Sequence, residues 1–141
     1  KNLRLPETEE VTEIHRYEKS PLTIQTKNDI LQRLEKLMAQ EKLYLNSSLT
    51  LGEVATKLSV VPRYLSQVIN ELREQNFYDF VNSYRIEEAK NILSDPNHND
   101  DKILAVLLDC GFNSKSVFNT VFKKTTGITP SEYRQRYKKS A

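Results

Sequence analysis

The sequence has little of several residues on which particular kinds of protein depend. Its 141 residues include one cysteine, 3 glycines and no tryptophan. The lone cysteine, Cys110, excludes an intramolecular disulfide and any zinc or iron–sulfur site built from several cysteines. The two histidines, His15 and His98, lie far from it in polar surroundings, so no Cys-His catalytic arrangement is indicated. We therefore predict no catalytic residue, no metal site and no cofactor, and a buried core position for Cys110.

Long apolar runs are also missing. No run approaches the ~20 residues that a helix needs to cross a bilayer, and no secretory leader is visible. We therefore expect this part of the protein to be soluble and cytoplasmic. Because the chain begins with Lys1 rather than Met, we also expect it to be cut from a longer protein. Its 38% hydrophobic and 28% charged residues are typical of a globular chain with one modest core or two very small ones.

Acidic residues become scarce toward the C-terminal end. Residues 1–49 contain 8 Lys or Arg and 8 Asp or Glu, whereas residues 111–141 contain 7 basic residues and one acid, Glu132. The resulting net charge of +6 (7 − 1) in this end predicts a polyanionic partner. An ordinary solvated tail has a similar composition, so charge alone leaves both readings open.

The first half of the chain predicts an arm followed by three helices. Residues 1–27 combine two prolines with dense charge and no sustained period, which predicts a linker or arm. A first helix is expected from a cap at Asn28 or Asp29 to about Lys42. Thr50 and the acid three residues later have the form of a capping box. An apolar stripe follows it, breaks at a short turn and resumes after Pro62, which is typical of a helix-turn-helix unit.

The second half predicts a longer helix and then a similar unit. Residues 77–94 are amphipathic and stop before a proline. Arg85 lies there beside two glutamates, so either an ion pair or a DNA contact is open for it. A short apolar helix should end at Gly111, a natural left-handed C-cap, and a second should follow from Ser114. The last helix should begin after Thr129 as N-cap.

The two units have matching apolar positions. Five pairs share one offset, 53 residues (118 − 65): Leu65 with Phe118, Val68 with Val121, Ile69 with Phe122, Phe80 with Tyr133, and Tyr84 with Tyr137. A sustained offset of this kind indicates an internal duplication. We therefore predict an all-α fold of about seven helices, in which a long central helix bridges two helix-turn-helix subdomains. With its flanking turns, such a helix could hold the two recognition helices about one DNA turn, ~34 Å, apart.

The outward faces of the second helix in each unit carry short or forked polar side chains. Such side chains can bond base edges in the major groove, and this is the usual task of the second helix of a helix-turn-helix. The predicted base-reading residues are Arg63, Ser66, Gln67, Asn70, Ser114, Lys115, Ser116, Asn119 and Thr120. The predicted phosphate contacts, which supply affinity but no sequence information, are Thr50, Lys123, Lys124, Arg134 and Arg136.

The segments LTLGEVATKLSVVPRYLSQVINEL, FVNSYRIEEAKNIL and GFNSKSVFNTVFKKTTGITPSEYR resemble the AraC-family DNA-binding domain. The resemblance implies a domain over residues 28–141, with a first helix-turn-helix unit at 28–76, a bridging helix at 77–95 and a second unit at 100–138. Helices at Pro62–Arg73 and Ser114–Thr125 would then contact bases. It also implies binding of double-stranded promoter DNA, regulation of transcription, usually activation, and RNA polymerase as a partner.

The runs FNSKS and VNSYRIEEAK resemble a subgroup in which this domain closes a longer protein. The resemblance therefore implies a parent with an N-terminal sensor or membrane-embedded region, joined through residues 1–27. Two positions depart from the family pattern. Ser59 stands where a glycine is common, so the first turn is expected to be altered or strained, and Leu107 stands where alanine is usual, which suggests different packing. The competing interpretations are a helical protein-interaction module that does not bind DNA, and an accessory domain of a Cys-dependent DNA-repair enzyme.

Overall fold

The structure, a computed structural model, describes residues 22–139. Over this range the chain has seven α-helices, two three-residue 3-10 helices (Leu43–Leu45 and Pro96–His98) and no strand. The α-helices are α1 (Ile24–Glu41), α2 (Leu51–Leu58), α3 (Pro62–Arg73), α4 (Phe77–Ser94), α5 (Ile103–Asp109), α6 (Lys115–Thr126) and α7 (Pro130–Tyr137). The predicted all-α fold class is confirmed. None of the helices in this range combines the length and the apolar character needed to span a membrane.

The described chain divides into two compact units. Unit 1 contains the residues up to Glu41 and Leu49–Phe77, and unit 2 contains Lys42–Ser48 and the residues from Tyr78 onward. Unit 1 therefore holds α1 to α3. Unit 2 holds α4 except its first residue, α5 to α7, and the short segment that connects α1 with α2. The domain boundaries inferred from the sequence, and the bridging task of α4, stay predictions.

Unit 1 is built on the apolar stripes of its three helices. Each stripe repeats at three- and four-residue spacing, so one face of each helix is apolar and becomes buried. The buried side chains are Ile30, Leu34 and Met38 on α1, Val54, Ala55 and Leu58 on α2, and Leu65, Val68 and Ile69 on α3. Polar contacts join the helices at the edge of this core. Arg73 of α3 pairs with Glu35 of α1 (2.7 Å), and Arg33 of α1 donates a hydrogen bond to the carbonyl of Leu58 (2.5 Å).

The first helix begins earlier than the sequence indicates. It starts at Ile24, so the predicted cap at Asn28 or Asp29 is wrong and both residues lie inside α1. Thr23 takes that position because its hydroxyl oxygen accepts the backbone N–H of Thr26 (3.1 Å). The remainder of the predicted arm, residues 1–21, lies outside the described residues.

The turn between α2 and α3 contains a strained serine. The predicted capping box opens α2: the Thr50 hydroxyl accepts the N–H of Glu53 (3.2 Å), and the Glu53 carboxylate accepts the N–H of Thr50 (2.9 Å). The helix then ends at Ser59, which has φ 57° and ψ 43°. This left-handed conformation costs a residue with a Cβ atom about 1–2 kcal/mol. The predicted strain at Ser59 is therefore present, and Pro62 opens α3 as expected.

Unit 2 has a core of aliphatic and aromatic side chains. The buried cluster comprises Ile86, Ala89, Leu93, Val106, Leu107, Cys110, Phe112, Phe118 and Phe122. The ring of Phe118 contacts those of Phe112 and Phe122, with centroids 5.2 and 5.6 Å apart, and Phe122 meets Tyr133 edge to face. Leu107, one of the two departures from the pattern that the sequence resembles, is a fully buried member of this cluster.

Two local signals set the ends of the helices in unit 2. After α5, Gly111 has φ 102°, and a Cβ atom there would collide with the carbonyl oxygen of Tyr44. Glycine is therefore required both by the backbone conformation and by the close approach. At α7, Thr129 and Glu132 form the predicted capping box, with Pro130 at the first helical position.

Replacement of Ser59 by glycine should stabilise the protein. Glycine removes the left-handed penalty of about 1–2 kcal/mol but adds about 0.5–1 kcal/mol of backbone entropy cost, so a gain of about 0.5–1 kcal/mol is expected. The measurement is urea denaturation of wild type and Ser59→Gly, read as a higher midpoint at an unchanged m-value. Ser59→Ala keeps the Cβ atom and should give no gain. Equal midpoints for the glycine variant and wild type would show that Ser59 is not strained.

Candidate nucleic-acid interface

α3 and α6 are the second helices of two short helix pairs and correspond residue by residue. Lys115 and Thr126, the ends of α6, lie 53 positions after Pro62 and Arg73, the ends of α3. Each helix buries a stripe at the same register: Leu65, Val68 and Ile69 on α3, and Phe118 and Phe122 on α6, with Val121 half-buried. Burial of one face leaves the opposite face of each helix available to a partner.

The predicted readers on α3 lie along that available face. Arg63 and Asn70 are exposed, and Ser66 and Gln67 are half-buried. The Arg63 guanidinium lies over the ring of Tyr64, 5.0 Å from its centroid. Such a cation–π contact restrains the guanidinium, and its N–H groups lie in the plane of the group, where they can still donate hydrogen bonds.

Gln67 belongs to a hydrogen-bonded group that the sequence reasoning did not detect. Its Nε2 donates to Glu71 Oε2 (3.2 Å), and Glu71 Oε1 pairs with Lys27 Nζ of α1 at 2.6 Å. The hydrogen bond from Lys27 is the main cause that lowers the pKa of Glu71 below its ordinary value. The spacing of Gln67 and Glu71 is visible in the sequence as an i, i+4 pair, but the link to Lys27 spans 44 residues.

The predicted base-reading side chains on α6 are more exposed to solvent than those on α3. Lys115, Ser116, Asn119 and Thr120 are exposed. Ser114 is half-buried and caps the helix, since its hydroxyl oxygen accepts the backbone N–H of Val117 (3.3 Å). This capping bond starts α6 at the register that brings the other four side chains to one surface.

An open cleft of about 380 Å³ lies along α6. Lys115, Asn119 and Lys123, spaced four residues apart, line one side, and the first turn of α7 lines another. Both lysines are exposed, so a phosphate or a base edge in this cleft would meet two cationic side chains and one amide. The cleft therefore has the chemistry of an anion-contacting surface.

The five predicted phosphate contacts differ in how free their side chains are. Lys123, Lys124 and Arg136 are exposed. The Thr50 hydroxyl is used in the cap of α2. Arg134 is half-buried, and its Nη1 donates to the carbonyl of Asp101 (2.6 Å) in the loop before α5. This contact occupies part of a guanidinium that has five N–H donors.

Arg85, for which the sequence left an ion pair or a DNA contact open, bonds to neutral groups within unit 2. It is 4% exposed, and its guanidinium donates to the carbonyls of Tyr44 (2.7 Å) and Asn46 (2.9 Å) and to Asn82 Oδ1 (2.8 Å). Burial lowers the pKa of Arg85, which reflects the cost of holding its charge away from water. The side chain therefore fixes the α1–α2 connection within unit 2.

Cys110 is a fully buried member of the core of unit 2, as predicted. Burial is the largest cause that raises its thiol pKa to about 12. The nucleophilic form of cysteine is the thiolate, which is negligible at neutral pH with such a pKa. Across residues 22–139, no group of His, Cys, Asp or Glu side chains is arranged to hold a metal ion.

A family model described as a helix-turn-helix domain matches residues 54–136. The transcriptional activator RhaR of Yersinia pseudotuberculosis is 27% identical over 109 residues, which are 77% of this chain and 37% of RhaR. The C-terminal domain of AraT, a response regulator from Geobacillus stearothermophilus, is similar with a TM-score of 0.67 and 29% identity, covering 86% of this chain and 92% of that domain.

A transcriptional regulator from Chromobacterium violaceum, described as having an AraC-type DNA-binding domain, shares the fold with a TM-score of 0.67. Its identity is 21%, and the match covers 81% of this chain and 96% of that one. The chain spans about a third or less of the length of the curated relatives it matches.

The burial of Cys110 predicts an unreactive thiol in the folded protein. With a thiol-specific reagent at neutral pH, we expect labelling only as fast as the protein unfolds, and complete labelling in urea. A Cys110→Ser, Ser131→Cys variant, which moves the thiol to an exposed position, is the matched control and should react at once. Rapid labelling of the native wild type would restore a nucleophilic cysteine and the enzymatic interpretation with it.

Proposed function

The chain belongs to the AraC family of helix-turn-helix domains, which bind double-stranded DNA and regulate transcription, and on this premise we propose that α3 and α6 read base edges in successive major grooves of one duplex. The family consists of DNA-binding regulators rather than enzymes. One polypeptide would thereby supply the two recognition helices that many helix-turn-helix proteins obtain by dimerising.

The observation that carries this proposal is the pair of matched outward faces. α3 and α6 have equal length and the same 53-residue register, and each turns a polar face away from its buried stripe. A polar face on a single helix is ordinary for a surface helix. The same arrangement in both copies of a duplicated unit supports a shared task, which in a helix-turn-helix is groove reading.

The outward side chains suit particular bases. Arg63 has the forked donors that pair with guanine O6 and N7, and the amides of Gln67 and Asn119 have the donor and acceptor that adenine N7 and N6 require. The hydroxyls of Ser116 and Thr120 can bond to several bases. Lys123, Lys124 and Arg136 would contact phosphate, which sets the register on the duplex.

Two recognition helices in successive major grooves of one duplex contact sites that lie ~34 Å apart on one face of the DNA. In-vitro selection of duplexes with this chain should accordingly return two short motifs one helical turn apart.

Removal of a base reader should weaken binding and relax sequence preference at one site. We expect Arg63→Ala and Asn119→Ala each to cost about 1–3 kcal/mol on the selected duplex and to lose discrimination only within their own motif. The measurement is fluorescence-anisotropy binding to the selected duplex and to a panel with single base-pair changes.

Lys124→Ala is the matched control, because a phosphate contact carries no sequence information. It should weaken binding to all duplexes alike and reduce the slope of log K against log salt by about 1. Unchanged affinity and unchanged preferences in the Arg63 and Asn119 variants would refute base readout by these faces. Salt-independent association would refute DNA binding by the chain and favour a protein-interaction module.

We further propose that the chain activates transcription and contacts RNA polymerase. RhaR, which matches over 77% of this chain, is named an activator. This similarity supports activation, rather than repression, of transcription by this chain. A sensor or membrane region elsewhere in the parent protein belongs to this proposal as well, because the chain spans about a third or less of the length of its curated relatives.

Activation predicts a rise in transcript when the selected duplex is placed upstream of a weak promoter. Run-off transcription with purified polymerase, with and without the chain, measures it, and a template with scrambled motifs is the control. A fall or no change on the intact template, with the duplex shown to be occupied, contradicts activation by this chain.

A further inference from the structure

A chain of three side chains in unit 1 ends on a proposed base reader. Lys27 Nζ lies 2.6 Å from Glu71 Oε1, and Glu71 Oε2 accepts a hydrogen bond from Gln67 Nε2 at 3.2 Å. An ionised carboxylate can only accept hydrogen bonds. Gln67 must therefore turn its NH₂ group, and not its oxygen, toward Glu71, so the contact selects one of the two orientations of the amide.

We propose that Glu71 and Lys27 are positioning residues that hold the Gln67 amide in the orientation that reads adenine. This inference rests on the proposed function of α3. Glu71 uses one of the two N–H donors on Nε2. The other N–H and the oxygen Oε1 remain, and they form the donor–acceptor pair that matches N7 and N6 of adenine.

Fixing the amide in advance has a physical benefit. A free glutamine has several rotatable bonds, loses that freedom when it binds a base, and can present its amide in either order. A glutamine already held by Glu71 has lost part of this freedom in the unbound protein. Binding to the matching base then pays less ordering cost. Discrimination also improves, because the reversed amide, which would suit a different base edge, is disfavoured.

The two units differ in charge at the position of Glu71. The residue 53 positions after Glu71 is Lys124, one of the proposed phosphate contacts on α6. The same helical position thus carries opposite charges in the two units. A carboxylate near DNA opposes binding to every sequence, since the phosphates dominate affinity. A role of Glu71 in base discrimination accounts for the presence of this acid. Lys27 supplies the compensating positive charge.

The alternative is a surface ion pair with no consequence for recognition. The Lys27 and Glu71 side chains are 19% and 46% exposed, and isolated pairs of this kind contribute little to stability. The bond to Gln67 is what separates the two interpretations, because only the positioning role predicts that a change at Glu71 alters base preference.

The test compares base discrimination with overall affinity in variants of residues 67, 71 and 27. Gln67→Ala first identifies the base pair whose preference depends on Gln67. At that base pair, Glu71→Ala should reduce the adenine preference about fivefold or more, the lower range for a bidentate contact, while affinity for random duplex stays equal or rises because a negative charge is lost. Loss of folding would instead lower the affinity for random duplex together with the adenine preference.

Two further variants sharpen the test. Glu71→Gln replaces one carboxylate oxygen by an NH₂ group. Because Lys27 can only donate, it takes the remaining oxygen, so the NH₂ group faces Gln67 and favours the reversed amide. This variant should therefore also lose the adenine preference, and it should bind random duplex more tightly because it lacks the charge. Lys27→Met should reduce the preference, because Glu71 loses the partner that holds it. Lys57→Met is its matched control: it removes a lysine from another ion pair of unit 1, with Glu41 at 3.5 Å, and should leave the preference at that base pair unchanged.

The outcomes distinguish failure of positioning by Glu71 and Lys27 from failure of base readout by α3. If Gln67→Ala changes no preference at any base pair, readout by Gln67 itself fails. If Gln67→Ala relaxes a preference and Glu71→Ala does not, readout stands and positioning by Glu71 is overturned. Loss of a cytosine preference at a different base pair in Glu71→Ala would make Glu71 a reader itself and would likewise overturn the inference. Thermal melting followed by circular dichroism establishes that each variant is folded.

Discussion

Burial of one apolar stripe on each short helix is the constraint on which the rest of the structure depends. The paired helices have 8 and 12 residues in unit 1, and 7 and 12 in unit 2. Isolated helices shorter than ~12–15 residues are marginal in water, so these helices owe their stability to packing rather than to propensity. The packing also selects the surface: once Leu65 and Ile69, or Phe118 and Phe122, face inward, the polar positions between them face out. The packing that forms the core therefore also brings the candidate DNA-contacting side chains to the surface.

Unit 2 adds a polar element to its core through Arg85. A buried charge is costly unless its hydrogen bonds are made, and the carbonyls of Tyr44 and Asn46 with the Asn82 side chain meet that need. The guanidinium also lies over the ring of Phe112, 5.7 Å from its centroid. The residues around it are consequently restricted, and Gly111 has to be glycine because the carbonyl of Tyr44 approaches it so closely.

Basic residues that look equivalent in the sequence have different surroundings in the structure. Lys124 and Arg136 are exposed and free to approach a phosphate, whereas Arg134 donates to the Asp101 carbonyl. Glu71, the one acid within α3, is likewise not an isolated negative charge, since Lys27 of α1 pairs with it. The electrostatics of the candidate interface thus depend on pairings between residues far apart in sequence, and a count of charges does not describe them.

The local rules of helix formation were enough to predict most of the fold. Apolar periodicity and the capping residues Thr50, Pro62, Ser114 and Thr129 predicted the helices from α2 onward, the two matched units and their outward faces, because each signal lies within a few residues of the feature it determines. The start of α1 was missed because Thr23 carries that local signal weakly. Only the tertiary structure decided the carbonyl partners of Arg85 and Arg134 and the carboxylate partner of Lys27, which lie 33 to 44 residues away. Those pairings arise when helices pack, and a pattern with a period of three or four residues contains no information about which distant side chain or carbonyl will be brought into contact.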